Sequence, residues 1–461
     1  MVPSEHPHTQ ERCKCEITTS PTTQSIVNSQ QSKRSESIVN RKVKIMALTT
    51  LDIENFGPIK SVHIELGRVN VLIGPQSAGK SCILKIACHC AWVEKRIMAT
   101  YDYSVFENDN YFFKKLLEFH KLQGYEHQDT IIRYSSKFLN FEYDHSTQKF
   151  SCKIKSNNSS SYRRAKLAYI PAERTLVAVV PNPMALAVGD TNTASFIVAW
   201  EKSRQLFANA NLGLLGIDAQ YEYDNSTKNE YIKSGDSRIS FTNASSGLQS
   251  AIPLLLYVKD LTSGKYDNDV SNAIRIAENK YCAERLYNIY IKKHKGANKA
   301  KAIIDKQTLL FESEADAKDF KKKYDNFTKY QYSSIFLEEP EENIYPNTQF
   351  LLMKEIIKLL DGRNGHSLSV ATHSPYVLST INNVIQAANI ARKLDAANKA
   401  ELESVVGMPM SWEKGEIRAY SVNDGEAKSI IDKSTGLILA EEIDRASEVI
   451  ENEFDEILRF E

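Results

Sequence analysis

A disulfide framework is the first thing this chain lacks. Its 461 residues include seven cysteines, an odd number without framework spacing, which excludes a stapled secreted scaffold and suits a reducing cytoplasm. Cys13-Lys14-Cys15 with His6 and His8 has no second spaced pair, so it is weak as a metal site. Cys88-His89-Cys90 falls within an expected helix, where neighbours face different directions, and reads as core and surface. Long apolar runs are also missing. The nearest candidate, Leu176 to Val188, is broken by Pro181 and Pro183 and falls short of the roughly 18 residues that cross a bilayer, so no membrane partner is expected. Net charge is absent as well, 58 basic residues balancing 58 acidic ones, so any binding of nucleic acid must be local. Residues 1–46 have no apolar period and no signal-peptide core; they read as a disordered tail, with Met46 as an alternative start that N-terminal sequencing would test.

What the chain does have is Val69-Asn70-Val71-Leu72-Ile73 running into Gly74-Pro75-Gln76-Ser77-Ala78-Gly79-Lys80-Ser81, which fits G-x-x-x-x-G-K-[ST]. A triphosphate needs closely packed hydrogen-bond donors, and Gly74 and Gly79 let the backbone curl until its N–H groups point inward. Lys80 would span the β- and γ-phosphates and Ser81 would hold Mg2+. The helix that opens at Gly79 and continues through Cys82 aims its positive end at the anion.

A second chemical stretch, Ser333 to Glu341, is an apolar strand ending in adjacent carboxylates. Glu338 is placed for the Mg2+ shell and Glu339 for orienting and deprotonating water. Ser367 to Pro375 repeats the pattern with His373 at the tip, a γ-phosphate sensor in the company of the other two strand ends. Leu167 to Arg174 is a buried strand stopped by Pro171; Arg174 reads either as facing the nucleotide or as half of a surface salt bridge. Phe241 to Gln249 leads into an apolar helix with Ser and Asn residues suited to capping it. Residues 265–331 form a lysine-rich helical insertion, with Lys292, Lys293, Lys295, Lys299, Lys301, Lys321, Lys322 and Lys323 as a solvated face or a DNA or partner surface. The expected organisation is an ATPase domain over 47–264, the insertion at 265–331, the rest of the ATPase domain at 332–390, and a C-terminal docking region at 391–461 ending in an acidic amphipathic helix.

Taken in order, these motifs resemble the ABC-type ATPase branch that holds SMC-like, RecF-like and OLD-like proteins, over roughly residues 47 to 385. Ser245-Ser246-Gly247-Leu248-Gln249 resembles the ABC signature, Ile335 to Glu339 resembles Walker B, and Thr372-His373-Ser374 resembles the switch histidine. Glu338 where transporters carry Asp, and Ser246 where many ABC proteins carry Gly, set the chain apart from transporters. The resemblance implies an α/β fold, an ABC-type ATPase head with a mixed β-sheet, a P-loop core and helical insertions. It also implies ATP and Mg2+ as ligands, and homo-oligomers in which Ser245, Ser246 and Gly247 of one copy cover the nucleotide held by another. No D-x-D pair follows His373, so a Toprim-type nuclease would be a separate chain. With Tyr169 to Thr175 and Glu338 to Glu341, this arrangement resembles the ATPase subunits of PARIS anti-phage systems. That implies a multimer, up to a hexamer, that holds the nuclease and releases it when a phage trigger protein is sensed. Septu-type and retron-linked ATPases, and SMC- or RecF-like DNA-repair ATPases, are the alternatives.

Overall fold

Alternation of apolar and polar residues, interrupted at Glu54-Asn55 and at Lys60-Ser61, gives β1 (Thr49–Phe56) and β2 (Ile59–Leu66), which pair antiparallel across the Gly57-Pro58 turn. A computed structural model describes residues 49–461 except 156–160, 264–313 (Leu286 apart), 361–364, 410, 414, 440–450 and 460–461. The expected tail, the Cys13–Cys15 pair and Lys292 to Lys301 of the insertion lie outside the described residues.

After β2 come β3 (Val69–Ile73), α1 (Lys80–Thr100), α2 (Tyr111–His120), β4 (Glu126–Ser135), β5 (Leu139–Asp144), β6 (Lys149–Ile154) and β7 (Arg164–Ile170). The middle of the chain supplies α3 (Asn192–Leu206), β8 (Asn209–Asn211), β9 (Gln220–Asp224), β10 (Asn229–Ser234), β11 (Ser237–Ser240) and α4 (Ser246–Thr262). The last part supplies α5 (Glu314–Thr328), β12 (Tyr330–Glu338), α6 (Pro346–Leu360), β13 (Ser367–Thr372), α7 (Pro375–Ala391), α8 (Ala396–Val406), β14 (Ile417–Asn423) and β15 (Glu426–Ser429).

Eleven strands form one mixed sheet in the order β6-β5-β4-β1-β2-β15-β14-β3-β13-β12-β7. From β14 to β7 every neighbouring pair is parallel; from β6 to β2 every pair is antiparallel. The two halves differ in pattern for a physical reason. Parallel strands carry helices on both faces, so β3 is buried at all its positions, whereas β5 alternates buried and exposed residues. In β3 itself, Val69, Val71 and Ile73 enter the core shared with α3, α4, α6 and α7, and Leu72 enters the opposite core beneath α1. Phe112 and Phe113 of α2 pack on Phe141, Tyr143 and Phe150 of the antiparallel half.

Three expectations change. Ile417 to Val422 reads as a strand in the sequence and is one, but residues 417–429, placed in a docking region, form β14 and β15 inside the main sheet, with β14 beside β3. The reason is that a buried parallel strand such as β3 needs a partner on each edge for its backbone groups, and β14 supplies one side as β13 supplies the other. Cys88, His89 and Cys90 are all buried, because α1 is covered by the sheet on one side and by α2 on the other. β4 and the separate four-stranded sheet β11-β10-β9-β8 were not anticipated. At the C-terminus, residues 451–458 are helical, with Phe454, Ile457 and Leu458 exposed.

Candidate functional site

The carboxyl ends of β3, β12 and β13 lie side by side, and each delivers one element of the candidate site. From β3 the chain turns through Gly74, Pro75, Gln76, Ser77, Ala78 and Gly79 into α1. Gly74 (φ 155°) continues the β3–β14 register, and a Cβ there would sit 2.0 Å from the carbonyl oxygen of Val422. Gly79 (φ 103°) is the N-cap of α1, and the crest Pro75-Gln76-Ser77 is exposed. No side chain caps α1 and no acidic residue stands in its first turn, so its N–H groups and positive end face the loop unneutralised.

Lys80 is the first residue of α1 and is buried. Its Nζ donates to the carbonyls of Gly74 (2.9 Å) and Pro75 (2.7 Å) and lies 3.5 Å from Nδ1 of His373. Burial lowers its pKa to about 8, against the opposing pull of Glu339 and Glu341. Ser81 follows, half-buried, and Cys82 is buried with its thiol pushed up to about 11, so it stays protonated at neutral pH.

At the end of β12, Glu338 is buried. Its Oε2 accepts from the Ala172 N–H (3.1 Å), while Oε1 lies 3.9 Å from Nζ of Lys85 and accepts no hydrogen bond. Glu339 has φ 43°, the left-handed region, and its N–H donates to the Ala371 carbonyl (2.8 Å). Its partly exposed carboxylate reaches to 4.0 Å from Nε2 of His373. Burial, then Lys80, lowers the His373 pKa below its ordinary value, which keeps the ring neutral at physiological pH.

One residue of this site was missed. Glu341 accepts from the Thr372 hydroxyl (2.8 Å) and the His373 N–H (2.5 Å), pinning the β13 tip to the turn after β12. The signal available was the run Glu338-Glu339-Pro340-Glu341-Glu342, whose third acid sits past a proline that redirects it. Ser374 then caps α7, accepting from the N–H groups of Tyr376 and Val377 while donating to Gln349.

Arg174 fits neither reading made from the sequence. It is completely buried, and its guanidinium donates to the carbonyls of Glu338 (2.9 Å) and Glu339 (2.7 Å) and to the carbonyl and hydroxyl of Ser250 on α4 (3.3 and 2.9 Å). The strand β7 ends beside β12 at the edge of the sheet, so the side chain reaches the Glu338–Glu339 turn from that edge. Ser245 and Ser246 are exposed at the start of α4, and Ser245 makes no side-chain capping bond, contrary to expectation. Gly247 packs so closely on the Asn343 carbonyl that a Cβ would stand 3.0 Å from it. The structure thus brings Lys80, Glu339 and His373 together, while Gly247 lies against the turn that follows β12 and Ser245 and Ser246 are exposed.

Among the described residues there is no cluster of three or more metal-ligating His, Cys, Asp or Glu side chains, and no helix is long and apolar enough to cross a membrane. No protein-family model and no curated protein matches the chain. Among solved structures, it is similar to an SMC head domain from Thermotoga maritima, at 9% identity and a TM-score of 0.33 over 84% of this chain and 98% of that one. It is also similar to the recombination mediator protein RecF with ATPrS (10%, 0.28, over 84% and 98%) and to the ATP-binding cassette MJ0796 with ADP and Pi (11%, 0.22, over 82% and 96%). The fold is α/β: a mixed sheet whose parallel half carries the Gly74–Ser81 loop at the end of β3.

Proposed function

We propose that this chain is an ATPase whose Gly74–Ser81 loop holds the triphosphate and whose strand ends hydrolyse it. The observation that carries the reading is the line of side chains Lys80, His373 and Glu339, spaced 3.5 and 4.0 Å apart at three neighbouring parallel strand ends, where α/β sheets bind their ligands. Lys80 exchanges the carbonyls of Gly74 and Pro75 for phosphate oxygens, and the N–H groups from Ser77 to Cys82 complete the cradle. Glu339 orients water and takes its proton, while the neutral His373 ring donates to the γ-phosphate. Ser81 and Glu338 fit Mg2+: both offer hard oxygen donors, and Oε1 of Glu338 is buried without a hydrogen bond. Bound there, the ion neutralises charge on the β- and γ-phosphates.

In this reading Ser245, Ser246 and Gly247 cover the nucleotide of a second copy, so ATP joins protomers and hydrolysis loosens them. The resemblance of the motifs to PARIS-type ATPases extends the proposal to a cytoplasmic anti-phage assembly. Such an assembly, up to a hexamer, restrains a separately encoded Toprim-type nuclease until a phage protein is sensed. A DNA-repair ATPase is the second reading, favoured by exposed Lys318, Lys321 and Lys322 on α5; DNA affinity falling steeply with salt, with DNA-stimulated turnover, would select it.

The test is Glu339→Gln. Hydrolysis should fall by on the order of 100-fold or more while ATP binding persists, and particle size by light scattering should increase in ATP. An unchanged size overturns the sandwich; unchanged hydrolysis overturns the assignment of Glu339.

A further inference from the structure

Glu339 holds a backbone conformation that a side chain other than glycine rarely takes, and such a residue persists only when its surroundings over-determine it. On one side the Ala371 carbonyl accepts its N–H. On the other, Arg174 grips the carbonyls of both Glu338 and Glu339. Two further donors of the same guanidinium go to Ser250, Nε to its carbonyl and an NH2 hydrogen to its hydroxyl. Glu342 stands 3.6 Å away as the nearby counter-charge.

Arg174 therefore has one edge on the carboxylate-bearing turn and the other on α4, one helical turn beyond Gly247. The contact of Gly247 with the Asn343 carbonyl is a second, independent tie between the same two segments. The exposed Ser245–Ser246 tip and Ser250 thus share one helix, and Ser250 is joined through the guanidinium to the Glu339 backbone by hydrogen bonds. A planar group with five fixed donors can span both segments; a lysine ammonium, a point donor on a flexible stem, cannot.

We propose that Arg174 is a positioning residue that couples the Ser245–Gly247 helix tip to the Glu339 turn. Because the tip serves a partner's nucleotide and Glu339 serves the chain's own, an inference that rests on the reading of the site given above, Arg174 makes hydrolysis at one nucleotide respond to closure over the other. The coupling is carried by displacement: when α4 moves to meet the partner's phosphate, Ser250 moves the guanidinium, and the guanidinium re-aims Glu339. In this proposal Arg174 acts through the Glu339 backbone and not on a phosphate.

The experiment uses the full chain with Arg174→Lys and, separately, Ser250→Ala, which removes a single hydroxyl and carries the test where the first variant fails to fold. Binding of a non-hydrolysable ATP analogue and the ATP dependence of steady-state hydrolysis are measured for each. Analogue affinity should stay within about threefold of the unsubstituted chain, since the cradle is untouched, while kcat of Arg174→Lys drops by on the order of 100-fold, the scale expected for misplacing a catalytic group by about 1 Å. In both variants a sigmoidal ATP dependence should become hyperbolic. A chain that binds and hydrolyses ATP normally, but whose Arg174→Lys and Ser250→Ala forms keep its kcat and sigmoidal response, overturns the coupling alone. An unsubstituted chain that binds no analogue overturns the reading of the site, and the coupling with it.

Discussion

Two turns meet at the candidate site, and they solve the same geometric problem in opposite ways. The turn after β3 places Gly74 and Gly79, with Ser77 between them, where φ is positive, and at Gly74 the Val422 carbonyl leaves no room for a side chain. The turn after β12 places Glu339 and Asn343 at positive φ. Glycine serves where the backbone itself is to face the ligand, and it reaches such conformations at little steric cost. A carboxylate serves where a side chain must act, at a cost of about 1–2 kcal/mol for the left-handed backbone, so the turn needs an outside clamp. Arg174 and the Ala371 carbonyl are that clamp. One turn is shaped from within and the other is held from behind.

The largest expected effect breaks the first turn. Gly74→Ala forces backbone against backbone at Val422 and should lower stability by about 1–3 kcal/mol or more, abolishing nucleotide binding. Gly124→Ala is the comparison: its φ is also positive, at 87°, but nothing lies within 4 Å of the new Cβ. It should cost only about 1 kcal/mol and leave binding intact. Thermal unfolding and a nucleotide-binding assay on the pair check this; equal losses would show that the close approach to β14 does not matter.

A smaller effect concerns Lys80. With its pKa lowered to about 8 by burial, the nucleotide-free protein loses the ammonium proton as pH rises through that value, whereas a bound triphosphate stabilises the charged form. Binding should therefore take up protons above about pH 8, and affinity should fall there by up to about tenfold per pH unit. Calorimetry in buffers of different ionisation heat would detect the uptake. An affinity constant from pH 7 to 9.5 would contradict it. The smallest effect sharpens the second turn. Glu339→Gly relieves the left-handed strain and should raise the thermal midpoint by on the order of 2 °C, while eliminating hydrolysis. A fall in midpoint would mean that the turn is not strained.

Legibility from sequence followed the range of the interactions involved. The P-loop and the Glu338–Glu339 pair are local, a strand followed at once by its chemistry, and Gly74 to Ser81 can be read without knowing what surrounds them. The parallel core is visible for the same reason, in the apolar residues of β3, the Ile335-Phe336-Leu337 run of β12 and the Val370-Ala371 pair of β13. Arg174 was not legible, because its role depends on Ser250 and Glu339 arriving from distant parts of the chain. Glu341 looks like one more acid in a surface loop until the β13 tip is placed beside it. β14 is the same kind of case: nothing in Ile417 to Val422 announces that it inserts next to β3.

That insertion also governs how the protein is made. The hydroxyl of Tyr420 accepts the N–H of Glu65 from 355 residues further along the chain, and Val422 seats Gly74. At a translation rate of about 5–20 residues per second, the nascent P-loop strand waits on the order of 20–70 s for its neighbour. During that interval one edge of β3 is an open strand edge, a template for mispairing with other nascent chains. Synthesis order thus keeps the Gly74–Ser81 loop without its β14 neighbour until residues 417–423 have left the ribosome.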